Sequence, residues 1–549
     1  MPQYVEVTDT TSLTSINLAI ANLSGGGTIR FKAGTYNLAG AIVMKSDVRV
    51  IGDGMIATVF KFTGSATPFD LTDLDNVAIE NVGFDGGGGS YSYIIRGTVT
   101  TGNHGNILVK NCRFSNFKTS SKYCVDFRDM NDCRVEGCQF DGVWSGVSFR
   151  AAGKDIYRNS CANCEFKDFE YAGVYATLIS PYCTYGTSVI GCRASKATVV
   201  VSGGLANPIL FNGPRTSPIS SWHMDAIVSN NVIIGPGNAN SGTSPIATSD
   251  QFFLSNIKGG VVAANVSANG GENGFLLWAC EKVVVCGNQT DMNWSNGILL
   301  KGCSNCNLSG NVSTNNGRTT GTPFAGIAVT ADTASTNQIS SSNNLIVGNL
   351  CTDDQTTKTQ DYGIWVYQTN ATGPMNVNTT TVGCNRVTGN ALTGIYADSE
   401  YYEGDVNDTV VNGIYGTLAM DPQYKVVDVE VTVNVSGAAD VPLNITIPER
   451  AVVRSAQTIV RKAFTTTTSI YGIGPSTSDP IAYGKSDGVG LNKKSTQRLS
   501  RLIGTGGESL KLYSVNASGA YSGTISGTNG SIRVKIIYEI PVEPLISYY

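Results

Sequence analysis

Apolar and polar residues alternate over many short segments of this chain, and the alternation returns every two to four dozen residues. Apolar side chains at every second position are typical of β-strands with one buried face. GFLLW at 274–278 and GILLK at 297–301 repeat the pattern 23 positions apart. Repetition of this length predicts a solenoid in which each turn of the chain pairs with the turns beside it.

One column of the repeat combines a small or amide residue with an apolar strand. It reads IENVGFD (79–85), VKNCRFS (109–115), VEGCQFD (135–141), CANCEFK (161–167) and VIGCRAS (189–195). In later repeats Asn replaces the Cys, at positions 231, 265, 288, 311 and 349. Identical residues at the same position of successive turns predict stacked ladders inside the coil, and stacked amides can hydrogen-bond along its axis.

A second column begins with Gly, and the first and third residues after the Gly are apolar. It comprises GVSFR (146–150), GVYAT (173–177), GFLLW (274–278), GILLK (297–301), GIAVT (326–330), GIWVY (363–367) and GIYAD (394–398). Repeats of 23–38 residues, each with two or three strands, predict a parallel β-helix. The variable second and fourth residues should point outward.

The two ends of the repeat region predict different structures. Residues 11–27 place Ile16, Ile20 and Leu23 on one helical face, with Ser or Thr as N-cap and Gly25 at the end, which predicts a capping helix. Beyond about residue 415, alternating strands between Gly, Ser and Thr turns predict an antiparallel β-sandwich-like domain. We therefore divide the chain into residues 1–50 (cap and first turns), 51–415 (β-helix) and 416–549 (C-terminal domain).

Of the fourteen cysteines, six follow the repeat, which indicates small buried residues of a stack: Cys112, Cys138, Cys164, Cys192, Cys280 and Cys303. CANC (161–164) and CSNC (303–306) resemble zinc half-sites, but the chain has two His and Cys164 belongs to the repeat. We expect a reduced protein that is assembled in the cytosol, with no metal or other cofactor.

The net charge is −4, only 15% of residues are charged, and no run of Lys or Arg occurs, which argues against nucleic acid as a partner. No stretch of 18 apolar residues is present, so we expect no membrane insertion. The first residues lack the basic and apolar segments of a secretion signal.

GGGTIRFKAGTY (25–36) and IGDG (51–54), after the predicted helix, resemble the N-terminal cap of pectate-lyase-like β-helix proteins. A β-helix of this length with a β-rich C-terminal domain resembles bacteriophage tailspikes that depolymerise bacterial surface polysaccharides. The resemblance implies a homotrimer in the phage tail that binds and cleaves a capsule or O-antigen. It transfers no catalytic residue. The particle-binding module with which tailspikes begin is not evident here, so we expect a baseplate or adaptor protein to provide the attachment.

Candidate sugar-binding residues lie in the outward positions of the second column, because aromatic and charged side chains together suit sugar rings and hydroxyl groups. Trp278 should lie beside Lys301, and Trp365 and Tyr367 beside Tyr396 and Asp398. The proposed substrate-binding residues are Arg150, Trp278, Trp294, Lys301, Trp365, Tyr367 and Tyr396. The alternative use of this face is a trimer contact, for which Leu276 and Leu299 are suited.

Candidate catalytic acids come from the position two residues before each Gly and from nearby turns. Glycoside hydrolysis uses two carboxyl groups, about 5 Å apart for retention or about 6.5–9.5 Å for inversion. Glu272 and Asp361 lie three turns apart, on the order of 14 Å, and should not pair with each other. Asp291 is the proposed partner of Glu272, and Asp398 is the proposed partner of Asp361.

Two other functions stay open. A polysaccharide lyase needs a base beside a uronate and often Ca²⁺; His223 of SWHMDA and the three Asp of DFRDMNDCR (126–134), expected on a turn, are the residues to consider. The second alternative is a non-catalytic adhesin or structural fibre. No Ser-His-Asp arrangement indicates an esterase.

Overall fold

The computed structural model describes the part of the chain that carries the β-helix and most strands of the C-terminal region. The described residues are 3–87, 90–118, 121–195, 207–214, 219–235, 250–318, 323–332, 339–367, 377–378, 380–383, 385–397, 423–433, 440–447, 452–462, 470–476, 478, 494–502, 508–515, 521–523 and 530–540. By internal contacts the chain divides into two compact units, residues 1–412 and 413–549.

The first unit is a coil built from three long sheets in which all neighbouring strands are parallel. Sheet 1 has 14 strands: Gln3–Val7, Gly27–Phe31, Val48–Gly52, Ala78–Glu80, Leu108–Lys110, Arg134–Glu136, Ser160–Ala162, Ser188–Ile190, Ile227–Ser229, Val261–Ala263, Val284–Cys286, Asn307–Ser309, Leu345–Val347 and Thr381–Gly383. Sheet 2 has 13 strands: Gly34–Leu38, Thr58–Phe62, Gly83–Asp85, Arg113–Phe117, Gln139–Val143, Glu165–Lys167, Arg193–Ser195, Val232–Ile234, Val266–Ala268, Gln289–Asp291, Val312–Thr314, Leu350–Thr352 and Arg386–Thr388.

Sheet 3 has 13 strands and carries the Gly column: Ile42–Val43, Phe69–Asp70, Tyr93–Thr98, Tyr123–Arg128, Ser145–Ala151, Ala172–Leu178, Asn207–Asn212, Phe252–Ser255, Phe275–Trp278, Ile298–Lys301, Ala325–Thr330, Tyr362–Val366 and Thr393–Ala397. Two minor sheets are also present. One contains the strands Ile156–Tyr157, Thr184–Tyr185, His223–Met224 and Ile257–Lys258, and the other contains Ser341–Ser342 and Val377–Asn378. One turn of the coil, called a rung below, passes through sheets 1, 2 and 3 in that order. The predicted parallel β-helix is confirmed.

The tight turn from sheet 1 to sheet 2 explains the dipeptides of the first column. Asn111 and Gly137 have φ of 51° and 61°, the left-handed region that Asn and Gly tolerate better than other residues. The next residue, Cys112 or Cys138, then points into the coil and is buried. A left-handed residue followed by a small buried one therefore accounts for the NC and GC pairs at these turns.

The ladders expected from the repeats are present inside the coil. The rings of Phe84, Phe114, Phe140 and Phe166 stack with centroids 4.8 Å apart, which is the spacing of neighbouring strands. In the adjoining column the Nδ2 of Asn288 donates to Oδ1 of Asn311 at 2.9 Å, and the same bond links each Asn to the next. That amide ladder comprises Asn231, Asn265, Asn288, Asn311, Asn349 and Asn385.

Cysteines occupy the earlier rungs of the same column, where the thiols contact backbone carbonyls. Of the thirteen described cysteines, all unbridged, eleven are buried. Cys161, Cys164 and Cys192 place their sulfur atoms within 4.8 Å of one another. All three lie inside the coil, and burial raises the pKa of Cys161 well above its ordinary value, which favours packed thiols over zinc-ligating thiolates.

The predicted cap is the helix Leu13–Ala21. Ser12 is its N-cap and accepts a hydrogen bond from the Ser15 N–H at 3.1 Å. The helix ends at Asn22 rather than at Gly25, because Leu23 turns into the core and is 1% exposed. Among the described residues, no helix has the length and apolar character needed to cross a bilayer.

The second unit contains two antiparallel sheets, as the alternation after residue 415 indicates. One sheet orders the strands Gln423–Val433, Gly530–Ile540, Val452–Lys462 and Lys494–Leu502. The other orders Asp440–Ile447, Glu508–Val515 and Ile470–Gly474, with Tyr521–Gly523 paired to Glu508–Val515. A role in trimer formation or sugar binding stays a prediction for this unit.

Candidate functional site

Glu272 lies in the turn that leads from sheet 2 into the strand Phe275–Trp278 and has a buried carboxyl neighbour, Asp250, one rung earlier. Asp250 is 3% exposed, and its Oδ1 accepts hydrogen bonds from N and Nδ2 of Asn273, at 3.2 and 2.8 Å. Asn273 in turn accepts from Asn296 on the next rung. Asp250 is therefore the first member of a short amide ladder, and that ladder fixes its side chain.

The two carboxyl groups influence each other's protonation. Burial raises the pKa of Asp250 well above its ordinary value, and the charge of Glu272 raises it further. Burial also raises the pKa of Glu272, whereas the nearby charge of Lys301 lowers it. Two coupled carboxyls in one partly buried place bind a proton more readily than exposed ones, so this pair retains a proton at a higher pH than an ordinary carboxyl does.

Trp278 and Lys301 are register neighbours on the outer face of sheet 3, as the repeat predicts. The Nζ of Lys301 lies 4.1 Å from the Trp278 ring centroid and 3.4 Å from Oδ1 of Asp332. The indole Nε1 of Trp278 donates to Oδ2 of Asp332 at 2.7 Å. Asp332 is 0% exposed, so one buried carboxylate holds both side chains in place.

Asp291 is the last residue of the sheet 2 strand Gln289–Asp291, and Trp294 lies in the turn that follows it. The Oδ1 of Asp291 accepts from Oγ1 of Thr314 at 2.8 Å and from Nδ2 of Asn315 at 3.1 Å. Trp294 is half-buried, with the Arg318 guanidinium 5.9 Å from its ring. Asp291 is in register with Ala268, four residues before Glu272, so the two acids flank one corner of the coil on successive rungs without a direct hydrogen bond.

The second predicted cluster contains Asp361, Trp365 and Tyr367 and combines one acid with stacked aromatic rings. Asp361 accepts a hydrogen bond from the Phe324 N–H at 3.0 Å, and burial raises its pKa. Trp365 stacks on Tyr367 at 3.7 Å between centroids. Trp365 is in register with Tyr396, as predicted; the side chain of Tyr396 and the whole of Asp398 lie outside the described residues. The strand order places Glu272 and Asp361 three rungs apart, which agrees with the expectation that they do not pair.

Arg150 lies apart from both clusters, four rungs from Trp278 along sheet 3. Its guanidinium forms a two-pronged ion pair with Asp126, which is 0% exposed. Leu276, suggested above as a trimer contact, is only 6% exposed within the single chain, so little of it is left for such a contact.

The residues considered for lyase chemistry have structural partners. His223 is fully buried; its Nε2 donates to the Asn212 carbonyl at 3.3 Å and its Nδ1 accepts from Oγ1 of Thr184 at 2.8 Å. Burial lowers the pKa of His223 to about 3, so the ring is neutral. The three Asp of residues 126–134 do not share one turn: Asp126 lies in a strand beside Arg150, Asp129 accepts backbone N–H groups of residues 152–154, and Asp132 pairs with Arg158.

Asp250 and Asp332 were missed by the sequence reasoning. Aligning Phe252 with Phe275 would have placed Asp250 opposite Asn273, but Gln251 stands where the other rungs have Gly, so this rung was not counted in the column. Asp332 follows the strand Ala325–Thr330 and lies 54 positions from Trp278 in sequence. Only the folded structure brings the two side chains together.

Comparison by sequence gives one partial match. A family model described as periplasmic copper-binding protein (NosD) matches residues 190–416, and no curated protein matches. Among the described residues of the matched range, both ring nitrogens of His223 are engaged, and five of the six thiols (Cys192, Cys280, Cys303, Cys306 and Cys351) are buried, which does not suit copper binding there.

Comparison by structure finds mainly phage tailspike proteins and related parallel β-helix enzymes that act on polysaccharides. A mutant tailspike of E. coli bacteriophage HK620 is 14% identical, with 98% of this chain and 91% of that chain covered and a TM-score of 0.43. The A-module of Azotobacter vinelandii mannuronan C-5 epimerase AlgE6 is 14% identical (74% and 97% covered; TM-score 0.45). Tailspike protein 3 of bacteriophage CBA120 is 12% identical (75% and 59% covered; TM-score 0.41). At these identities the likeness concerns the fold.

Proposed function

We propose that this protein is a phage tailspike depolymerase that binds a bacterial surface polysaccharide and cleaves it by hydrolysis, with Glu272 as the proton donor. The observation that carries the proposal is the coupled Asp250–Glu272 pair beside the Trp278–Lys301 pair, on the outer face of a parallel β-helix. A carboxyl group with a raised pKa, next to an indole and an ammonium group, suits glycosidic bond cleavage.

Glu272 is the member of the carboxyl pair that reaches substrate, because it is only partly buried. In its protonated form it donates the proton to the glycosidic oxygen as the bond from that oxygen to the anomeric carbon breaks. Asp250 is inaccessible at 3% exposure and acts as a positioning residue that helps to keep the pair protonated. Raising the pKa of the acid in this way keeps it protonated to a higher pH than an ordinary carboxyl group.

Asp291 is the proposed second carboxylate, since it lies across the same corner of the coil and its Oδ2 has no hydrogen bond among the described residues. In an inverting reaction its carboxylate removes a proton from the attacking water; in a retaining reaction it bonds to the anomeric carbon, and water later displaces it. Either route consumes one water and releases one new reducing end.

Trp278 and Lys301 are the proposed sugar contacts. Asp332 fixes both, so they bind without first losing much rotamer freedom. The second cluster, with Asp361, Trp365 and Tyr367, is proposed as a more distant part of the same glycan track, three rungs away.

The test uses purified protein and polysaccharide from susceptible bacteria. We expect wild-type protein to release reducing ends and Glu272→Gln to lose about 100-fold or more in kcat while still binding the polymer. Glu281→Gln is the matched control, because Glu281 lies after the strand Phe275–Trp278 and forms an ion pair with Lys258 at 2.8 Å. The activity of this variant should stay near wild type. New unsaturated uronate absorbance would instead identify a lyase, and binding without chain shortening would identify an adhesin.

The proposed assembly is a homotrimer in the phage tail, attached through a baseplate or adaptor protein. Light scattering of the purified chain checks this directly, and a monomeric mass at micromolar concentration would contradict it.

A further inference from the structure

The outer face of sheet 3 carries a second group of aromatic residues, well separated from Glu272. The residues Tyr93, Tyr123, Trp144, Tyr171 and Tyr175, called the aromatic platform below, are all partly buried and partly accessible. Trp144 stacks on Tyr171 with centroids 4.5 Å apart, and Tyr123 meets Trp144 edge-on at 5.3 Å. These contacts hold large apolar surfaces in place at the exterior of the coil.

Arginines surround the platform. The Arg150 guanidinium lies 5.2 Å from the Tyr123 ring centroid, and that of Arg96 lies 5.3 Å from the Tyr93 centroid. Arg128 is the register neighbour of Arg150, so two guanidinium groups project from adjacent rungs. Like charges side by side are unfavourable unless an anion lies between them.

The nearby carboxylates of the described residues form no ion pair with Arg96 or Arg128. Asp126 is engaged by Arg150, and Asp70, beside Arg96, accepts from N and Oγ1 of Thr72. Within the described part of the chain, neither Arg96 nor Arg128 has a carboxylate within 4.0 Å, and the Arg128 Nε has no hydrogen-bond partner. The four successive sheet 3 strands from Tyr93–Thr98 to Ala172–Leu178 contain three Arg and one Asp, in a chain whose net charge is −4.

A cavity of about 940 Å³ adjoins this region at the turn before the sheet 3 strands. Three cationic and two acidic side chains line it: Arg113, Lys118, Lys122, Asp141 and Asp168. Lys122 directly precedes Tyr123 in the chain, so the positive balance of the platform continues into the cavity.

We propose that the aromatic platform, with Arg96 and Arg128, is a subsite for an acidic sugar residue, so that the polymer this protein binds carries carboxylate groups. Sugar rings stack on the aromatic surfaces, and a uronate-type carboxylate is held by the guanidinium groups. The inference rests on the function proposed above, because it names the substrate class of that same protein.

The subsite lies on the same sheet as the proposed sugar contacts Trp278 and Lys301, which fits one bound chain. From Arg150 to Trp278 the sheet advances four rungs, roughly 19 Å. Thr177 and Asn212 occupy successive rungs of that column, and Ser255 is the register neighbour of Trp278. A glycan that follows this column therefore passes the partly accessible Thr177 and Asn212, whereas Ser255 is buried.

The test measures binding to an array of purified bacterial capsular and O-antigen polysaccharides, each printed native and after chemical reduction of its carboxylates. The protein carries Glu272→Gln to prevent cleavage. We expect the bound polymers to be acidic, with carboxylate reduction weakening binding about tenfold and Arg96→Gln with Arg128→Gln weakening it similarly. The two losses should not add, because both remove the same interaction. Arg134→Gln, an exposed arginine of sheet 1, is the control and should bind like its parent.

Binding that is indifferent to carboxylate reduction or to the arginine pair overturns the proposal, as does a protein that binds none of the printed polymers. A Tyr123→Ala protein that loses its oligomeric mass while still binding polysaccharide would assign the platform to a contact between copies. Failure of the catalytic proposal is separate, since it appears as undiminished cleavage by Glu272→Gln with the array result intact.

Discussion

Replacing Asn288 by Ala should be one of the most destabilising single changes in the coil. Its Nδ2 donates to the Val262 carbonyl and to Oδ1 of Asn311, both at 2.9 Å, and its Oδ1 accepts from N and Nδ2 of Asn265 at 3.0 and 2.9 Å. Asn288 is 0% exposed, so water cannot replace these partners without entering the core. The change removes four buried hydrogen bonds and leaves two donors of Asn265 unsatisfied.

At about 1–1.5 kcal/mol for each bond, the loss amounts to about 4–6 kcal/mol. Chemical denaturation, or the rate of thermal unfolding if the transition is irreversible, measures it. Asn307→Ala is the matched control on the next rung, because the Oδ1 of Asn307 has no hydrogen-bond partner among the described residues, and it should change stability by less than about 0.5 kcal/mol. Equal effects of the two changes would refute the view that the amide ladder stabilises the coil.

Three further predictions follow from the carboxyl pair and the buried thiols. Because the pKa of Asp250 is raised in the folded protein, wild-type stability should decline as pH rises from the ordinary carboxyl range through the folded-state pKa. Asp250→Asn, whose side chain can still accept a hydrogen bond from Asn273, should remove that decline. Denaturation curves of this variant with the same pH dependence as wild type would contradict the prediction. Lys301 lowers the pKa of Glu272, so Lys301→Gln should move the alkaline limb of the kcat profile to higher pH; a limb that stays in place or moves down would exclude Glu272 as its source. Eleven of the thirteen described cysteines are buried, so a thiol reagent should label at most Cys183, Cys286 and Cys384, which lies outside the described residues, in native protein and all fourteen after denaturation. Faster labelling of more thiols would mean that the coil opens.

The parallel β-helix could be predicted from the sequence because the same residue types recur at the same position of successive repeats. The Phe ladder and the Asn ladder stack the same residue on successive rungs, so each predicted contact could be read from spacing. The outward neighbours Trp278 and Lys301 followed from the same register.

The candidate site was harder to predict because its members break the repeat. Asp250 occupies a ladder position where later rungs have Asn, and Asp332 reaches Trp278 only through the path of the chain between sheets. Burial, which raises the pKa of Glu272, is a property of the folded surroundings and has no signature in local sequence.

The amide ladder also has a direction. Every Asn from 231 to 349 donates from N and Nδ2 to the Oδ1 of the Asn on the following rung. A partly formed coil therefore ends in unsatisfied donors, and the next segment of chain brings the acceptor that they require. Because synthesis delivers the N-terminal rungs first, each completed rung can serve as the template for its successor. The ladder thus gives coil growth a polarity that matches the order in which the ribosome releases the chain.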